Sequence, residues 1–345
     1  MNTTDLHFAD KYLHHQINLM RFTAGEQKKV LAMLTTMEKE LKVKLHGDLT
    51  DFGRARVNKL LRESAEVIKK AYSGIQTEFD FVGLAKAETK YVANTTFFRL
   101  GVDASLPTEA VLKALASDVL IEGGPSAKWW AKQSDDLAFK FANQVRQGVA
   151  QNETIQQIVR RVIGSKRLGV PGIMETSKRE AFALVHTSVM QVSNDAKLET
   201  FRENSDIVKG LRQLSTFDSH TTKICIAYSG AEWNIDGDPI NGTTLPFEGG
   251  CPRHWGCRST IVPITLTYRE LGIDIDETKG TRASDMGQIE SDTTFSEFLK
   301  RHDDNYADDL LGPGRAKLWR EGKITLTDLM GQHGRPLTLS QLNAK

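Results

Sequence analysis

Residues 215–234, STFDSHTTKICIAYSGAEWN, and residues 245–263, LPFEGGCPRHWGCRSTIVP, hold all three cysteines of the 345-residue chain. Cys225, Cys251 and Cys257 follow the pattern C-x25-C-x2-H-x2-C, with His254 in the last gap. Three soft or borderline ligands within seven residues, plus a fourth from another turn, are what a closed tetrahedral zinc site needs. Two readings stand side by side. In the first, one structural zinc on Cys225, Cys251, His254 and Cys257 pins the long 226–250 loop, which has little else to hold it. In the second, the cysteines are small buried hydrophobes and His254 bonds a backbone carbonyl.

Working outward, the cluster sits between two strand-like runs, VKGLRQLS at 208–215 and RSTIVPITL at 258–266. Between them the chain is rich in turns, with Gly230, Gly237, Asp238-Pro239, Asn241-Gly242 and Gly249-Gly250. Upstream the pattern is helical. Val30, Leu34, Met37 and Leu41 recur at 4-3-4 spacing, and Phe52, Leu60, Leu61, Val67, Ile68 and Ala71 mark the buried side of a second helix. Further helical stretches cover about 76–96 and 108–120, and Gly123-Gly124-Pro125 breaks them. Trp129 and Trp130 open a long amphipathic helix through Phe139, Phe141, Val145 and Val149. Neighbouring positions point to different sectors, so one tryptophan belongs in a core and the other at an interface. Asn152-Glu-Thr reads as a turn and N-cap for TIQQIVRRV, ended by Gly164, and Thr176 as the cap of a helix over about 177–204. A polar linker at about 270–290 leads to two or three short C-terminal helices. The expected architecture is α+β. It has a helical N-terminal region (1–122), a small α+β domain with a long loop-rich insertion (123–268), and a linker with a helical C-terminal extension (269–345).

Composition narrows the function. Lysine and arginine number 45 against 44 acidic residues, a net charge of +1, and that balance argues against a chain whose main work is wrapping nucleic acid. Arg146, Arg160, Arg161, Lys166 and Arg167 read as a solvated face or as a local DNA or portal contact. No stretch reaches the roughly 20 apolar residues of a membrane helix. MNTTDLHFADKYLHHQ lacks the basic and apolar regions of a secretory signal, and three cysteines fit a reducing compartment, so folding in the cytoplasm is expected.

The motifs in their order resemble those of the phage Mu F-like minor head (head morphogenesis) protein family. A helix bearing HTSVMQVSNDA at 186–196 precedes a strand, then TFDSHTT, Cys225 and Gly230, then HWGCR and a second strand. The family's D-x-R-T-x3-C/H-x4-G pattern is matched by Asp218, Thr221, Cys225 and Gly230, with His220 where arginine is usual. Its closing H-P-x-C-R-C resembles His254-Trp255-Gly256-Cys257-Arg258-Ser259, without the proline and the last cysteine. LGPGRAKLWREGKITLTDL and GRPLTL near the C-terminus are also similar, so the resemblance covers about 130–345.

The resemblance implies a minor head protein of a tailed bacteriophage, made in the host cytoplasm and placed inside the capsid or at the portal vertex. It implies a part in head assembly and in DNA packaging and delivery, with no catalytic role. Its partners would be the portal protein and a scaffold or major capsid protein, with a weak, salt-dependent contact to packaged DNA and none to a membrane. The alternative is a zinc-dependent nuclease or transferase acting on DNA, with Asp218, His220 and His254 activating water. Asp218-Ser-His-Thr221 equally makes a turn in which Asp218 bonds backbone amides. Cys257 beside His254 and Arg258 is the remaining nucleophile, although a pair so close on one loop more often shares a metal or a turn.

Overall fold

In the computed structural model, described for residues 3–48, 53–267, 269–272, 281–290, 293–331 and 335–344, the chain is an α+β protein with a helical N-terminal region. Helix content is 62%, and the sheets have two or three strands each, so helix packing carries most of the architecture. Two compact units form. One takes residues 1–20, 82–117 and 190–345, the other 21–81 and 118–189. Each draws on more than one of the stretches 1–122, 123–268 and 269–345.

The second unit shows how helical phase selects the core. Helix α1 (Thr3–Asp48) buries Val30, Leu34, Met37 and Leu41, and α2 (Arg54–Gln76) buries Leu60, Leu61 and Ile68. Val67 and Ala71 are half-buried, and Phe52 lies outside the described residues. After α3 (Phe81–Val92) and α4 (Glu109–Ser117), α5 (Ser126–Ala150) buries Trp130, Ser134, Leu137, Phe141, Val145 and Gly148. Trp130 lies among Tyr72 and Phe79, while the half-buried Trp129 donates its indole N–H to the Ile121 carbonyl at 2.9 Å. Phe139 is 68% exposed, so it is not on the apolar face expected for it. Residues two apart on a helix point to opposite sides, and Phe141 takes the core position.

Thr154 caps α6 (Ile155–Ile163) through a reciprocal capping box with Gln157, and Gly164, at φ +86°, ends the helix. A Cβ on Gly172 would fall 2.3 Å from the Gly164 nitrogen, so only glycine allows the two backbones to approach. That contact sets the start of α7 (Ile173–Arg202) one turn before the expected cap, and Thr176 lies inside the helix.

The first unit contains the sheet that positions the cysteines. Strands β1 (Val208–Leu214), β2 (Glu232–Trp233) and β3 (Thr260–Thr265) pair antiparallel in the order β2-β1-β3. Leu211 faces both Trp233 and Pro263, and Leu214 faces Thr260. Every residue of β1 but Lys209, and every residue of β3, is buried; β3 matches its apolar run at 261–264, whereas β1 also buries the polar Arg212 and Gln213. Between β1 and β3 runs α8 (Lys223–Ala227), then β2 and the Gly-rich loop.

That loop is held by hydrogen bonds that need no metal, contrary to the sequence reading. The Trp233 indole donates to the Leu245 carbonyl at 2.8 Å, and the Glu232 amide donates to Thr243 Oγ1 at 2.8 Å. Arg212 and Asn241 both bond the Glu232 carboxylate. The Asn234 side-chain oxygen accepts from the amides of Asp236 and Asp238. The C-terminal stretch then shares its core. Beyond a hairpin of β4 (Thr281–Ser284) and β5 (Gly287–Glu290) come α9 (Phe295–Lys300), α10 (Asp304–Leu311), α11 (Pro313–Arg320) and α12 (Leu339–Asn343). Phe295, Phe298, Leu311 and Leu318 pack with Phe217, Ile226, Tyr228 and Trp233. Among the described residues, no helix is long and apolar enough to cross a membrane.

Candidate metal centre

Three of the four expected ligands meet. One ligand atom each from Cys225, His254 and Cys257 lies within 4.8 Å of the other two. Cys225 comes from α8, just after β1, and the other two from the knuckle that leads into β3, so the antiparallel pairing of β1 with β3 brings them together. Cys225 Sγ stands 3.2 Å from His254 Nε2 and 3.6 Å from Cys257 Sγ. Cys251 is buried beside Cys257, its thiol bonded to it, but does not join the mutual group. None of the three cysteines is in a disulfide. The group is a set of two thiols and an imidazole that could bind a metal ion.

The orientation of His254 fits that role. Its Nδ1 lies 2.9 Å from the Trp255 carbonyl, which can only accept, so Nδ1 carries the proton. In the neutral ring the lone pair is then on Nε2, toward Cys225 Sγ and, at 2.8 Å, Thr222 Oγ1. Fixing one ring nitrogen by a backbone bond while the other faces the ligand cluster is how metal-binding histidines are commonly oriented. Burial disfavours the imidazolium, but the bond to Cys257 and its charge outweigh that and hold the His254 pKa above the ordinary value. Bonds from Cys225 and then Cys251 hold the Cys257 thiol well below its usual value, while the bond to Cys257 and then burial push Cys225 up. The thiolate is the form that ligates metal.

The remaining motif residues build the frame around this group. Arg258 grips Asp218 through two bonds, Nη1 to Oδ2 at 2.7 Å and Nη2 to Oδ1 at 2.6 Å. Asp218 Oδ1 also accepts from the His220 amide at 2.8 Å and from Thr221 Oγ1 at 3.3 Å, which is the turn geometry. Desolvation would raise the Asp218 pKa, but the Arg258 bond and charge prevail and lower it. The His220 side chain is exposed and Thr221 is buried. Gly230, at φ +86°, turns the chain so that its amide donates to the Gln213 carbonyl at 2.9 Å, just ahead of β2.

Sequence reasoning did not single out several supporting groups. Ser259, standing where the resembled family has a cysteine, is buried and bonds Ser215 Oγ at 3.1 Å, and Ser215 Oγ in turn donates to the Cys225 carbonyl at 2.6 Å. Arg253 places its guanidinium 3.5 Å from the Tyr228 ring centre and donates from Nε to Gln213 Oε1 at 2.6 Å. Lys197 is fully enclosed and donates to Thr260 Oγ1 at 2.8 Å; burial lowers its pKa, opposed by the charges of Glu88 and Cys251. Glu88 in turn bonds His15 at 2.7 Å and Ser193 at 2.8 Å. A buried lysine and glutamate in separate helices were the only local signals available. Of the basic residues, Arg161 is engaged by Glu153, Gln147 and Gln151.

Comparison of the chain with protein-family models, curated proteins and solved structures gives no match.

Proposed function

We propose that the chain is a minor head protein of a tailed bacteriophage, in the manner of the Mu F-like family, and that its cysteine cluster is a structural zinc brace. The family reading rests on the order of Asp218, Thr221, Cys225, Gly230, His254, Cys257 and Arg258 between two strands. The observation that carries the brace is the buried pairing of Cys225 on α8 with His254 and Cys257 on the knuckle. Cys225 Sγ, His254 Nε2 and Cys257 Sγ would hold the ion, and Cys251 stands next to Cys257 to supply a fourth ligand. A bound zinc would contribute folding free energy by tying the two segments together.

The rival reading, a zinc-dependent nuclease or transferase acting on DNA, draws no support from Asp218. Both oxygens of that carboxylate are taken by Arg258, leaving it poorly placed to activate water. The expected partners are the portal protein and a scaffold or major capsid protein, at the capsid interior or portal vertex, with packaged DNA as a weak, salt-dependent contact. Affinity purification of portal from procapsids tests the assignment. Recovery of this chain at a fixed, low ratio to portal supports it, and its absence from procapsids that retain portal rejects it.

A further inference from the structure

We infer that Cys225 and Cys257 are also a disulfide-forming pair, so that the clasp closed by metal under reducing conditions is closed covalently under oxidising ones. The inference deepens the metal reading of the same site and rests on it for the reduced state only. Its ground is the approach of the two sulfurs, 3.6 Å apart with both side chains buried. A disulfide needs a separation near 2.0 Å, which small side-chain rotations of two facing thiols can supply. Cys225 and Cys257 also lie on the segments that β1 and β3 bring together, so the bond would link parts that are already neighbours.

The chemistry balances with a hydroperoxide as oxidant. A thiolate of the pair attacks the peroxide oxygen, the O–O bond breaks, and a sulfenic acid forms as the leaving alkoxide or hydroxide takes up a proton. The second sulfur attacks the sulfenic sulfur, forms the S–S bond and expels hydroxide, which leaves as water. Two thiols lose two electrons and two protons, and the peroxide becomes an alcohol and water, or two waters. Thiolate lone pairs committed to the S–S bond no longer serve a metal, so oxidation releases any bound ion. With three cysteines in the chain, one thiol remains, and the pairing leaves it as Cys251. The chain would thus keep its β1–β3 junction closed in a reducing cytoplasm and outside it. Closing the segment between residues 225 and 257 restricts the unfolded chain, so the oxidised chain should gain resistance to denaturant.

The test treats full-length reduced protein with hydrogen peroxide while a colorimetric zinc chelator reports released metal, then maps the peptides by mass. The expected result is a Cys225–Cys257 linked peptide, an intact mass lower by two hydrogens, and one alkylatable thiol at Cys251. Cys251→Ser should still form the bond, whereas Cys225→Ser should not. Three titratable thiols after oxidation, over-oxidised sulfurs without a link, or a Cys251–Cys257 bond in place of the expected one would each overturn the inference. A Cys225–Cys257 bond formed without metal release defeats the metal reading and sustains this one. Metal release without the bond does the reverse.

Discussion

Asp218 and Arg258 are forty positions apart in sequence, yet their side chains make a two-bond, charge-assisted pair across the junction of β1 and β3. Each is about a quarter exposed, so solvent screening trims the contribution to about 1–2 kcal/mol. Asp218→Asn should therefore destabilise the protein by that amount at neutral pH. The Asp218 carboxyl is lowered from its ordinary value, so its contribution is complete above the unfolded-state value of about 3.9 and is lost as pH falls through the lower folded value. Urea melts of wild type and Asp218→Asn should differ at about pH 6, and the gap should shrink as pH falls below about 4. An unchanged gap across that range would show that the ion pair is not its source. Asp218 and Arg258 are both motif residues, but nothing local in the sequence pairs them; partners this far apart are set by strand register. The same holds for Lys197 with Thr260, 63 positions apart.

At the scale of elements, periodicity specifies which face is buried only when the phase is right. The 4-3-4 spacing of Val30, Leu34, Met37 and Leu41 marks one stripe, and all four side chains are buried. Phe139 and Phe141 cannot share a stripe, and the chain buries Phe141. Trp130→Ala should cost about 3–5 kcal/mol and Phe139→Ala no more than about 0.5 kcal/mol in thermal or chemical unfolding. Equal losses for the two would contradict the orientation of α5. Thr154→Ala removes the N-cap of α6 and should cost about 1 kcal/mol, read by the same melts. β3 was legible from its apolar run at 261–264, and β1 from Val208, Leu211 and Leu214, although the buried Arg212 and Gln213 interrupt its apolar pattern. β2 was not, since two residues carry no periodicity; the Trp233 bond to Leu245 and the Glu232 cluster define it only in three dimensions. The cysteine pattern was legible as a ligand set, but which three atoms converge depends on the turn at the knuckle.

Across the whole molecule, the loop 226–250 and the C-terminal helices form one apolar core with Phe217, so a metal would reinforce a packed insert rather than fold an otherwise open one. Loss of the metal is then expected to loosen the knuckle around His254 and Cys257 before it unfolds the sheet. Chelation should raise amide exchange at residues 251–258 with little change in β1, and uniform exchange across the first unit would argue for a larger role. A chain held at the portal should also remain in heads emptied of DNA, and its loss with the DNA would favour an ejected protein. The most direct test of the brace is the metal content of reduced, full-length protein purified without chelator. The account predicts close to one zinc per chain, lost on Cys257→Ser and retained on Asp218→Asn. Well under one zinc per chain, with all three thiols titrating freely in the folded protein, would contradict it.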